Sequence, residues 1–178
     1  MDIEDFTQSN VVAAPAVARD SIWVADDNAD VRLLLNRAFK RCDTGVPVEF
    51  FRDGGAVVRK VHECGGAPKV LLMDFEMPCM DGLQTLKTLG NERFLAGTTV
   101  VIFSTVDDAS CVQEAYASGA RFYVRKPTDG HQYRQLARLC SACVYVPVQQ
   151  CERQALNVEQ ALSIVADQTA NTPHTGAR

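Results

Sequence analysis

The chain has 178 residues, 47% hydrophobic and 22% charged, which suits one soluble globular domain with a full core and is too short for two ordinary ones. A net charge of -4, with a pI near 5.3 and no basic cluster, argues against a nucleic-acid partner. The longest apolar-leaning N-terminal run, Val11 to Ala18, is broken by Pro15, is too short to span a bilayer, and follows acids where a secretion signal needs positive charge; a cytoplasmic location without membrane association is expected.

Residues 1–20 lack periodicity and read as a flexible arm. Ser21 to Ala25 (SIWVA) is a short apolar strand that stops at Asp26-Asp27. Asn28 can cap the next helix, where Val31, Leu34, Leu35 and Ala38 recur at helical spacing. Val48 to Phe51 is a second strand; Asp53-Gly54 turns it into a helix to Cys64, with Val57, Val58 and Val61 on one face and Gly65-Gly66 at its end.

The run Val70 to Gly82, VLLMDFEMPCMDG, is the centre of the chain. Four apolar residues suit a strand buried on both faces, and Asp74 carries a carboxylate to its end. Leu83, Leu86 and Leu89 mark a third helix closed by Gly90. Thr98 to Phe103 is a fourth strand ending at Ser104-Thr105, and a helix follows from about Asp108 to Ser118. Arg121 to Val124 is a fifth strand ending at Arg125-Lys126-Pro127, and the last helix of the unit turns Leu136, Leu139 and Cys143 inward.

Five alternations of strand and helix with short connections predict a doubly wound five-stranded parallel sheet of the α/β class, spanning residues 21–146. Residues 147–178 form an extension. It has one amphipathic helical piece (Ala155, Val158, Ala161, Leu162, Val165) and a polar tail expected to be disordered. This is below the ~50 residues of an independent domain, so no separate output domain is expected there. The seven scattered cysteines lack the even pattern of a disulfide scaffold, and Cys140 and Cys143, though spaced C-x-x-C, read as core packing within a helix.

Open α/β sheets place ligands at the carboxyl ends of their strands. That edge collects Asp26 and Asp27, then Asp74, Ser104 and Lys126. Converging carboxylates repel unless a cation neutralises them, which implies a hard divalent metal, Mg2+ or Mn2+. A metal, an ammonium, a hydroxyl and a carboxylate nucleophile are what phosphoryl transfer needs, with Asp74 forming an acyl phosphate.

DDNADVR after the first strand, MDFEMPCMDG after the third, FST after the fourth and GARFYVRKP at the fifth resemble the phosphoacceptor receiver domain of two-component response regulators. The resemblance implies a flavodoxin-like fold with strand order 2-1-3-4-5. It makes Asp74 the acceptor of a phosphoryl group from a histidine kinase or histidine phosphotransfer protein, with Asp27, Asp74 and the Glu76 backbone carbonyl on Mg2+ and Asp26 acting through water. Ser104 and Lys126 contact the phosphoryl group, Tyr123 takes the aromatic switch position, and the bond preceding Pro127 is expected to be cis. The chain is then a stand-alone receiver that can pair with a second copy of itself. It signals to a downstream protein target through its changed surface or relays the phosphoryl group, catalysing only its own phosphorylation and dephosphorylation. Two alternatives remain: a metal-dependent phosphatase with an aspartyl nucleophile, whose motif wants an Asp where Glu76 stands, and a passive receiver-like adaptor.

Overall fold

A computed structural model describes residues 20–146 and 154–170. Most of the arm expected over 1–20 and of the tail lies outside the described residues, as does Cys151. The elements run β1 (Ile22–Ala25), α1 (Ala29–Cys42), β2 (Val48–Phe51), α2 (Gly54–Cys64), β3 (Val70–Asp74), α3 (Gly82–Asn91), β4 (Thr99–Ser104), α4 (Ala109–Ala117), β5 (Phe122–Arg125), α5 (Gly130–Tyr145), β6 (Ala155–Leu156) and α6 (Val158–Ala170).

All strand pairs are parallel, in the order β2-β1-β3-β4-β5-β6. The expected order of five is present, and a sixth strand extends it. Ala155, expected in a helix, lies in β6 instead, because Ala155 and Leu156 pair with Tyr123 and Val124 of β5 and the helix begins only at Val158. A strand of two residues leaves no alternation to read in sequence.

Central strands β1, β3 and β4 are wholly buried, as unbroken apolar runs between two helical layers should be. One layer consists of α1, α5 and α6 over Ile22, Val24, Val70, Leu72, Val101 and Phe103. The other packs α2, α3 and α4 over Trp23, Leu71, Met73, Val100 and Ile102. The faces of the helices follow the spacing with one shift: α1 buries Val31, Leu35, Ala38 and Phe39, whereas Leu34 is exposed. Cys140 and Cys143 are buried within α5, and burial pushes the Cys140 thiol well above its ordinary range.

The crossovers through α1, α2, α3 and α4 share one hand, as the preference for right-handed connections requires. The connection from β5 through α5 to β6 moves in the same direction as those through α3 and α4 but on the opposite face. Its hand is therefore reversed. The β6–α6 unit is thus an addition laid against a finished five-stranded fold, held by burial of Leu156, Val158, Ala161 and Val165 in the core shared with α5.

Candidate functional site

Each side chain at the carboxyl edge is set by a local device. At the end of β1, the Asn28 side chain caps α1 by accepting from the Asp30 and Val31 amides. Arg32 donates to the backbone carbonyls of Asp26 and Asp27 at 2.6 and 2.9 Å, fixing the turn that carries the two acids. Asp26 points into the fold and is fully buried; Asp27 points to solvent.

After β3 the chain turns tightly. Gly82 donates its amide to the Phe75 carbonyl at 3.0 Å, and a Cβ at Gly82 would lie 2.5 Å from the Asp74 carbonyl oxygen. Only glycine allows this approach. Asp81 and Gln84 form a reciprocal cap that starts α3 directly behind the loop. Cys79 takes a left-handed conformation, φ 68°, and is exposed there.

Asp74 is 4% exposed. Its Oδ1 accepts the Glu76 amide at 3.3 Å, and its Oδ2 accepts the Lys126 ammonium at 2.7 Å. The same Nζ lies 2.8 Å from Asp26 Oδ2, out of line for a hydrogen bond, so that oxygen is a buried acceptor without an aligned donor. Asp26 Oδ1 accepts the Asn28 amide at 2.8 Å. Carboxylate oxygens of Asp26, Asp27 and Asp74 come within 4.8 Å of one another.

Burial raises the Asp26 carboxyl above its ordinary value, and the nearby Lys126 ammonium only partly offsets this. For Lys126, burial works against the charged form. Its close approach to the Asp26 and Asp74 carboxylates and their negative charge outweigh it, and the net shift is upward. The ammonium also lies 5.1 Å from the centre of the Phe103 ring. Lys126 thus stands between two buried acids, with the exposed Asp27 beside them and the Arg32 guanidinium at the backbone of their turn. An oxygen-only donor set with an orphaned buried oxygen and excess negative charge fits a hard divalent cation such as Mg2+.

Ser104, at the end of β4, is buried, and its Oγ accepts the Val106 amide at 3.1 Å. Tyr123 is fully buried. Its hydroxyl donates to the Val106 carbonyl at 2.7 Å, and its ring meets that of Phe75 at 5.9 Å. Burial raises its phenol above the ordinary value.

The structure therefore brings Asp26, Asp27, Asp74, Ser104 and Lys126 to one edge, with Glu76 supplying an amide and Tyr123 one step behind Ser104. The expectation of a cis bond before Pro127 is corrected: no described peptide is cis. The trans form is the lower in energy for an ordinary X-Pro bond. In this geometry Lys126 reaches both acids while its amide donates to the Ser104 carbonyl at 2.8 Å. Sequence reasoning missed Arg32, Phe103 and Tyr116. Arg32 falls within the quoted DDNADVR, but nothing in its spacing says that it turns back on the two acids.

Residues 22–138 match the response regulator receiver domain family. The chain belongs to that family. Its relatives include the DNA-binding transcriptional regulator NtrC of Proteus hauseri, 30% identical over 87% of this chain and 30% of that protein. The probable methanogenesis regulatory protein FilR2 of Methanothrix harundinacea is also 30% identical, over 60% of this chain and 71% of that protein. Among solved structures, the NarL signal receiver domain of Mycobacterium tuberculosis is 25% identical, with a TM-score of 0.56 over 69% of this chain and 96% of that one. Phosphorylated RcpA, a cyanobacterial phytochrome response regulator, shares the fold with a TM-score of 0.61 at 22% identity, over 68% of this chain and 90% of that one. The matched part of this chain spans less than a third of the length of the NtrC relatives. No described helix is long and apolar enough to cross a membrane.

Proposed function

We propose that this receiver accepts a phosphoryl group on Asp74 from a histidine kinase or histidine phosphotransfer protein. The observation that carries the reading is the single ammonium of Lys126 held between two buried carboxylates, Asp26 and Asp74, with a third, Asp27, beside them at the solvent. In the transfer, an Asp74 oxygen attacks the phosphorus of a phosphohistidine. The new P–O bond forms as the P–N bond breaks, and the imidazole nitrogen keeps the bonding pair.

Asp26, Asp27, Asp74 and the Glu76 carbonyl would hold Mg2+ or Mn2+, which when bound supplies positive charge against the phosphoryl oxygens. Lys126, 2.7 Å from Asp74, turns its ammonium to one phosphoryl oxygen. Ser104 leaves the Val106 amide to donate its hydroxyl to another. Val106 in turn accepts from Tyr123, so a change at Ser104 alters the setting of the tyrosine and the protein-binding surface beside β5.

The output is binding to a protein target, or onward transfer of the phosphoryl group to a histidine, by a cytoplasmic protein. The receiver turns over no separate substrate, and homodimerisation through its last elements is compatible with this role. Incubation with Mg2+ and acetyl phosphate, read by intact mass, tests the reading: wild type gains one phosphoryl group and Asp74→Asn gains none. Equal gain by the variant, or no gain from either acetyl phosphate or a phosphorylated kinase, overturns it.

A further inference from the structure

On a five-stranded sheet β5 is an edge, and the space beside Tyr123 is open to water. Here β6 fills it. Ala155 pairs with Tyr123, and paired residues of a parallel ladder project to the same face; Ala155 accordingly packs in the same cluster as the Tyr123 ring. Leu156, next along, projects to the other face and is buried with α5 and α6.

A side chain from α4 closes the junction. The Tyr116 hydroxyl accepts the Tyr123 amide at 3.1 Å and donates to the Gln154 carbonyl at 3.0 Å. It takes the place of a ladder hydrogen bond where β6 meets β5. Tyr123 continues the connection through its own hydroxyl to the Val106 carbonyl, and the Val106 amide reaches Ser104 Oγ. An unbroken series of neighbours thus joins the hydroxyl at the site to Gln154, which immediately precedes β6.

We propose that β6–α6 latches Tyr123 in its buried rotamer, so that docking of this unit and occupation of Asp74 by a phosphoryl group favour one another. The second half rests on the phosphoacceptor reading above. A ring at position 123 can lie inward, against Phe75 and under Val106, or outward past the edge of β5. Ala155 and the backbone of β6 stand in the outward path. Two strand residues alone hold weakly, but Leu156, Val158, Ala161 and Val165 anchor the unit by apolar burial. The ring is inward with Ser104 still on the Val106 amide; when Ser104 turns to a phosphoryl oxygen, the Tyr123 hydroxyl remains to hold Val106, so the latch and the phosphoryl group favour the same ring position. Coupling between two such sites is reciprocal.

The test uses the full chain with fluorotyrosine incorporated, the Tyr123 resonance being assigned by its loss in Tyr123→Phe. Two variants loosen the unit: Leu156→Asp, which places a charge where the core cannot take one, and Tyr116→Phe, which removes only the bridging hydroxyl. Solvent exposure of the Tyr123 fluorine and the affinity for beryllofluoride with Mg2+ are measured. We expect a buried Tyr123 in wild type, an exposed or averaged one in both variants, and beryllofluoride binding weakened about fivefold or more. A Tyr123 that stays buried in both variants overturns the latch, and unchanged beryllofluoride affinity overturns the coupling. If wild type binds no beryllofluoride, the phosphoacceptor reading and the coupling fall together, and the fluorine resonance alone decides the latch.

Discussion

Lys126→Met removes the cation between Asp26 and Asp74 while keeping a stem of similar length. The ammonium sits 2.8 and 2.7 Å from the two carboxylates, and the three side chains are 14%, 0% and 6% exposed. Taking one partner from a buried ion pair costs ~3–5 kcal/mol, because the other charge is left without compensation. Asp27 opens one side of the cluster to water, which places the loss near the lower end, about 3 kcal/mol at pH 7. For a chain of this size that lowers Tm by about 6–12 °C. Burial already raises the Asp26 carboxyl, and without Lys126 it rises further. A raised acid favours the folded state most at low pH, where it is protonated, and that support is lost as pH rises through the folded value. The penalty of the variant is therefore larger at pH 7 than at pH 4. Mg2+, which competes with the ammonium for the same oxygens, binds the variant more tightly and stabilises it more than wild type. Urea denaturation in chelator, repeated across a Mg2+ titration, measures both effects. A loss below about 1 kcal/mol, the range of an exposed pair, refutes the reasoning, as does equal stabilisation by Mg2+.

Two further outcomes follow from the packing and the caps. At Gly54 an added Cβ would overlap the Thr85 hydroxyl and come within 2.8 Å of the Met80 carbonyl, both on the side of α3. Gly54→Ala therefore costs about 1–3 kcal/mol by overpacking, and a urea midpoint equal to that of wild type counts against that close approach. Asp108 and Asp129 cap α4 and α5. Hydrogen bonds from the Ser110 side chain and backbone hold the first below the ordinary 3.8, and the Gln132 and His131 amides do so for the second. Their stabilisation is complete above 3.8 and disappears as pH falls through the lower folded values. Removing both caps with Asp108→Ala and Asp129→Ala should thus cost stability at neutral pH and almost none at the acid end; a pH-independent difference contradicts this.

The reading of the sequence was strongest where a single local rule decides the outcome. An apolar run buried on both faces looks like one in sequence, and β3 ending in Asp74 followed directly. Alternation of such runs with helical spacing sets the parallel order, and the order brings the strand ends together, so the carboxyl-edge cluster is legible in the sequence. Leu34 shows the limit: its spacing allows either face of α1, and only the direction in which that helix packs exposes it.

What the tertiary structure alone decided concerns pairings between distant segments. No pattern in Ala155-Leu156 announces a strand, because two residues have no periodicity and their partners in β5 lie 32 positions earlier. Lys126 bridging Asp26 and Asp74, Tyr116 joining Tyr123 to Gln154, and the burial of the Tyr123 ring likewise depend on segments brought together by the sheet. The chain determined by itself which groups reach the carboxyl edge, since strand direction and turn chemistry are local. Their distances, the reversed hand of the last crossover and the closing of the β5 edge are set by packing, in which every element's place depends on all the others.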